Sequence, residues 1–234
     1  MIDDIRRIAA RATDRFTRRF WGPTFRCPVC HFLIAAVDAD GNALLVCPVC
    51  GVVIEIESVY GHIVPVVHDV EVFRPQPKAR LHPLATHLPI GLFPFALLGA
   101  AVLSVASLVG GLGVALGARA PVLADATLVL LVLAVAGAVP TLASGLWDWN
   151  RRYRRRPYRQ ITFKIAGSIV FLVVGAAAIV LQASGAVFSG ATGLLQLGSP
   201  LGAFAAVLYL GALAGGMLIV AVLGHVGGTL VFGR

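Results

Sequence analysis

The sequence predicts a membrane all-α fold: a four-helix transmembrane bundle preceded by a small N-terminal β domain and an N-terminal amphipathic helix. Two observations carry this expectation. Four apolar segments fill the second half of the chain, and two cysteine pairs at metal-ligand spacing mark the first half. The apolar segments run from Leu84 to Leu112, Pro121 to Trp147, Ile161 to Ala183 and Leu201 to Leu223. Each supplies the roughly 20 apolar residues that a helix needs to cross the hydrocarbon core. From Ile161 onward there is no Asp or Glu, and Lys164 and Arg234 are the only Lys or Arg residues. Lipid offers the backbone no hydrogen-bond partner, so each segment must satisfy itself as a helix.

Composition agrees: 58% of the 234 residues are hydrophobic and 13% charged, against roughly 25% charged in soluble domains. The net charge of +8 is concentrated in two places. Six arginines lie from Arg151 to Arg159, between the second and third segments, and another six (Arg6, Arg7, Arg11, Arg15, Arg18, Arg19) lie near the N-terminus. Short basic loops stay in the cytoplasm, so both regions are expected there, and an even number of spans brings the C-terminus to the same side. The expected location is the inner membrane of a bacterium. The charge reads as topology and as contact with anionic lipid, worth on the order of 1 kcal/mol per basic residue near the surface.

Residues 2–21 carry Ile5, Ile8, Ala12, Phe16 and Phe20 at spacings of three and four, with arginines on much of the other face. This stripe predicts an amphipathic helix over 1–22, lying in the membrane interface or packing on protein. No apolar signal-peptide core precedes the first span, so the four cysteines are expected in a reducing compartment, where metal binding is favoured over disulfides.

Cys27-Pro-Val-Cys30 and Cys47-Pro-Val-Cys50-Gly51 are separated by sixteen residues. Each C-x-x-C turn aims two thiolates at one point, and two turns complete a tetrahedral, closed site. Between them, Phe32-Leu33-Ile34 and Leu44-Leu45-Val46 read as strands around an Asp38-Ala39-Asp40-Gly41-Asn42 turn, and Val52 to Ile56 as a third strand. The pattern over residues 23–73 resembles a zinc ribbon. It is also similar to rubredoxins, which share the Cys-Pro-x-Cys-Gly knuckle and would hold iron, although the span between knuckles is short for them. Structural zinc is the expected ion, iron the alternative. His62 and His68 lie in an apolar β-like stretch without partners at ligand spacing. Residues 74–81, with Arg74-Pro-Gln-Pro-Lys-Ala-Arg80, read as a short stiff linker to the bundle at 82–234.

The first span opens with His82-Pro83-Leu84-Ala85-Thr86-His87-Leu88-Pro89-Ile90, the second closes with Ser144-Gly145-Leu146-Trp147-Asp148-Trp149, and the fourth finishes with Gly227-Gly228-Thr229-Leu230-Val231-Phe232. Taken together, these motifs resemble a bacterial family of four-span membrane proteins of unknown function, over residues 81–233. Some relatives are fused to redox modules, and the resemblance therefore implies electron transfer. The chain departs from the pattern at the start of the third span, where Phe163 and Lys164 stand in place of an expected histidine. In the fourth span, Gly211-x-x-x-Gly215 is a spacing that permits close helix approach.

An up-down bundle places His82, His87, Asp148, Lys164 and His225 at one, cytoplasmic, end. Intramembrane ionisable groups are functional candidates by default. Neutral His87 and His225, with His82 as a substitute, would hold haem b, or a quinone would bind there, with Lys164 and Asp148 shaping the charge. The competing reading is structural: histidines at helix ends meet water, headgroups or unpaired backbone groups. The sequence thus supports an electron-transfer subunit or, alternatively, a non-catalytic zinc-ribbon adaptor or assembly subunit. Expected partners are the lipid bilayer and other membrane or cytoplasmic subunits reached through the ribbon. Nucleic acid is disfavoured, because no Lys or Arg lies between the cysteine pairs. Transport is unsupported, because the middle of each span is Leu, Val, Ala and Gly.

Overall fold

A computed structural model describes residues 22–70, 81–151 and 153–232. The expected amphipathic helix at 1–22 and most of the linker at 74–81 lie outside the described residues. The chain divides into two compact units. The first contains the cysteine-bearing β domain, Trp149–Phe163 and the residues from His225; the second contains the apolar helices from Leu81 to Asp148 and from Lys164 to Gly224.

The β domain is built from two small antiparallel sheets. Strand β1 (Thr24–Arg26) pairs with β2 (Leu33–Ala35), with Phe25 opposite Ile34. Strands β3 (Leu44–Val46), β4 (Val52–Val59) and β5 (His62–Val70) form the second sheet in that order. The three strands expected from the sequence are present, and β4 runs on into a hairpin with β5. Its two-residue loop, Tyr60-Gly61, has φ of +52° and +80°. That left-handed pair makes the type I′ turn, whose twist matches the strands. Between β2 and β3 the Asp40 carboxylate accepts the N–H groups of Asn42 and Leu44 at 2.9 and 3.0 Å, an Asx turn that fixes the reversal. Phe25, Phe32, Ile34, Leu45, Val52 and Ile54 are buried.

Four helices among the described residues are long and apolar enough to cross a membrane. They are α1 (Leu81–Leu108), α3 (Arg119–Arg151), α4 (Arg159–Ala183) and α5 (Pro200–Phe232), with the short α2 (Gly110–Leu116) after α1. The first span therefore ends earlier than Leu112. Val109 is extended (φ −105°, ψ 92°), which ends α1 and lets α2 start in a new direction at Gly110.

Within the second unit the helices close into a ring of contacts. A Cβ at Gly137 would lie 2.8 Å from Leu88 Cβ (α3 on α1), one at Gly175 2.5 Å from Val135 (α4 on α3), one at Gly167 2.8 Å from Leu223 (α4 on α5), and one at Gly216 2.6 Å from Phe93 (α5 on α1). Lipid tails are as apolar as leucine, so close backbone approach supplies the van der Waals contact that holds such helices together. The spacing of Gly211 and Gly215 is not used inside the bundle: among the described residues nothing lies within 4 Å of a Cβ at either position, and the neighbouring Gly216 makes the approach to α1. The helix turns Gly216 toward α1 and the other two away from it.

Candidate metal centre

The two cysteine pairs sit in two turns of the same hydrogen-bond pattern. The Cys27 N–H donates to Phe32 O and the His31 N–H returns to Cys27 O, each at 2.9 Å; the Cys47 N–H donates to Val52 O at 2.8 Å and the Gly51 N–H to Cys47 O at 3.0 Å. The residue after the second cysteine must take positive φ, which Gly51 does at +82° and His31 at +57°. Glycine does so freely, whereas histidine is one of the side chains tolerated there. Gly51 marks its turn in the sequence and His31 does not.

These two turns bring the four sulfur atoms within 4.8 Å of one another. Cys27 Sγ lies 3.7 Å from Cys50 Sγ, and Cys30 Sγ 3.5 Å from Cys47 Sγ. A tetrahedral ion with metal–sulfur bonds of about 2.3 Å sets sulfurs about 3.8 Å apart, and a disulfide would need about 2.05 Å. The separations fit a metal, and none of the four cysteines is in a disulfide. Cys27 and Cys47 are fully buried, with Cys30 and Cys50 partly exposed. The cluster can bind a metal ion such as zinc or iron.

Electrostatics around the thiols point the same way. Burial pushes the Cys30 thiol up to about 11 and the Cys47 thiol higher still. Burial also opposes the Cys27 thiolate, but the backbone N–H groups of Cys30 and Val29 outweigh it and bring Cys27 below the ordinary thiol value. A cation at the centre of the cluster favours all four thiolates and displaces their protons, so metal affinity falls as pH falls.

Sequence patterning is silent on what docks against this domain. The stretch Trp149–Phe163, from the end of α3 to the first turn of α4, belongs to the same unit, and three of its residues reach the ribbon. Tyr158, 3% exposed, donates its hydroxyl to Val46 O at 2.6 Å. Gln160, 4% exposed, donates its amide to Leu33 O at 3.0 Å, while its buried Oε1 has no hydrogen-bond partner among the described residues. The Arg159 N–H, first of helix α4, donates to the Asp38 carboxylate at 3.0 Å. Asp38 thus caps α4 from 121 residues away, doing for a distant helix what an N-cap side chain does locally. Burial raises the Asp38 pKa above its ordinary value, partly offset by the Arg159 N–H and guanidinium.

The expected histidine sites are distributed over both units. His82 lies on α1 with Nδ1 3.0 Å from Thr141 O and 3.2 Å from Ser144 Oγ, its ring against Gly145 of α3. It is within electrostatic reach of Lys164 and Asp148, so α1, α3 and α4 bring these three together. His87 is exposed, with Nδ1 2.7 Å from Pro83 O of its own helix. A carbonyl only accepts, so Nδ1 carries the proton in both rings, and a neutral ring leaves the Nε2 lone pair to serve as acceptor or ligand. His225 is exposed and belongs to the first unit. His62 is exposed, and His68 Nδ1 pairs with Glu55 Oε2 at 3.3 Å. The bundle also holds a buried polar relay that no sequence motif marks. Tyr209 donates to Gln182 Oε1 at 2.7 Å, and Gln182 Nε2 donates to Ala124 O at 2.8 Å.

Fold and site together define a multi-pass membrane protein with a four-cysteine metal-binding β domain. No protein-family model, curated protein or solved structure matches the chain.

Proposed function

We propose that this chain is a non-catalytic membrane adaptor whose ribbon holds a structural zinc ion and docks protein partners at the cytoplasmic face of a bacterial inner membrane. The observation that carries this reading is the closed centre. Four thiols surround one point, each turn is braced by its own backbone, and no position is left for a substrate. The bundle supports it, because its buried polar side chains spend their hydrogen bonds on one another and on their own backbone. Ser104 donates to Ala100 O, Thr127 to Leu123 O, and Tyr209 to Gln182. Membership of the four-span family suggested by the sequence motifs belongs to the same proposal.

A second reading, electron transfer, is favoured by one specific observation. His82 and His87 both carry their proton on Nδ1, the tautomer in which Nε2 can bind haem iron. In that reading the haem b ligands are drawn from the histidines that the sequence singles out, His87, His225 and His82, with Lys164 and Asp148 setting the charge near His82, or a quinone headgroup takes the place of haem. Metal analysis and the visible spectrum of detergent-purified protein, oxidised and reduced, separate the two. One zinc per chain and a colourless solution support the adaptor. A Soret band with α and β bands appearing on reduction overturns it, as does thiolate-to-iron absorption that bleaches on reduction.

A further inference from the structure

We propose that the metal centre operates a latch: with metal bound the ribbon grips the start of the third span, and without metal it lets go. This rests on the four-cysteine metal site proposed above. The two carbonyls that Tyr158 and Gln160 bind are placed by the two cysteine turns. Val46 immediately precedes Cys47, whose N–H is tied to Val52 O across the second turn. Leu33 follows Phe32, whose carbonyl holds the Cys27 N–H across the first. Asp38 lies between β2 and β3, the strands that join one turn to the other. All three contacts to the 158–160 segment therefore depend on the stretch of chain that runs from Cys30 to Cys47, between two pairs of metal ligands. A domain with so few buried side chains cannot hold those strands on core burial alone, so the metal supplies the folding free energy.

The docked segment itself points to restraint from outside. Arg154 and Arg155 have φ of +49° and +58°, a region that two consecutive non-glycine residues do not choose unaided. Trp149 closes the loop by donating its indole N–H to Arg156 O at 2.8 Å and accepting the Arg155 N–H at 3.1 Å. Tyr153 then packs edge-on against Tyr158, 6.2 Å between ring centroids, so releasing Tyr158 removes a support of that loop. Metal loss thereby loosens the connection between the second and third spans.

The test is hydrogen–deuterium exchange of the full chain in lipid nanodiscs, zinc-loaded and chelator-stripped, with metal content measured in both. The expected result is backbone amides of 158–163 that exchange at least about tenfold faster in stripped protein, with residues 168–180 unchanged. Tyr158→Phe and Asp38→Ala, both zinc-loaded, should keep their metal and still show faster exchange at 158–163, because they cut the latch without touching the centre. Equal protection of 158–163 in loaded and stripped wild type overturns the latch and leaves the metal site standing. A chain that takes up neither zinc nor iron overturns both.

Discussion

Gly216 gives the sharpest quantitative test of the bundle. A Cβ there would lie 2.6 Å from Phe93 Cζ, 3.2 Å from Cε1 and 3.5 Å from Cε2. Phe93 is 1% exposed and meets Phe171 edge-on with ring centroids 5.1 Å apart, so its ring cannot swing aside without losing that contact. Gly216→Ala therefore carries an overpacking cost of about 1–3 kcal/mol, against roughly 1 kcal/mol gained from alanine's helix propensity. A net change between zero and a loss of about 2 kcal/mol follows, or up to several degrees of melting temperature at about 2–4 °C per kcal/mol. Gly211→Ala and Gly215→Ala meet nothing within 4 Å and keep the helix gain, so both should melt at or slightly above wild type. Thermal melts of the three variants in one detergent give the order, and Gly216→Ala combined with Phe93→Leu should recover part of the loss. A Gly216→Ala protein that melts with the other two, or a double variant no better than the single one, refutes this packing of α5 on α1.

Three further outcomes follow from the metal domain and the bundle. Cys47→Ser removes a fully buried ligand. Because structural zinc contributes about 10–16 kcal/mol across four ligands, the variant should bind metal at least about a hundredfold more weakly in chelator competition; undiminished affinity would sink the four-sulfur site. Asp38 is raised from its ordinary 3.8 by burial, so its folded-state contribution is complete below 3.8 and is lost as pH rises through the raised value. Asp38→Asn keeps the acceptor for the Arg159 N–H without the buried charge, and should flatten the pH dependence of ribbon stability while matching or exceeding wild type at neutral pH. A steeper pH profile in the variant would contradict the sign. Tyr209→Phe strands Gln182 Oε1 in the bundle and should cost about 1 kcal/mol, whereas Tyr209→Phe with Gln182→Leu should cost less than the sum of the single changes. Additive melting losses would show that the two side chains do not act as a pair.

The four spans, the cysteine cluster and three ribbon strands were legible in the sequence, because each rests on a local rule. Twenty apolar residues need no tertiary information to require a helix in lipid, and a C-x-x-C turn sets two sulfurs by its own backbone. Expectation failed where the answer depended on which face a helix turns inward. Gly211 and Gly215 had the familiar spacing, yet rotation about the α5 axis put Gly216 against Phe93. No periodicity could decide that among helices apolar all round. The contacts of Asp38, Tyr158 and Gln160 join residues 112 to 127 positions apart, and hydrogen bonds between a side chain and a main-chain N–H or carbonyl leave no complementary side chain to read. Tertiary structure turned an arginine-rich loop into the docking segment of the ribbon, because only folding brings a strand's carbonyls within reach of a distant helix start.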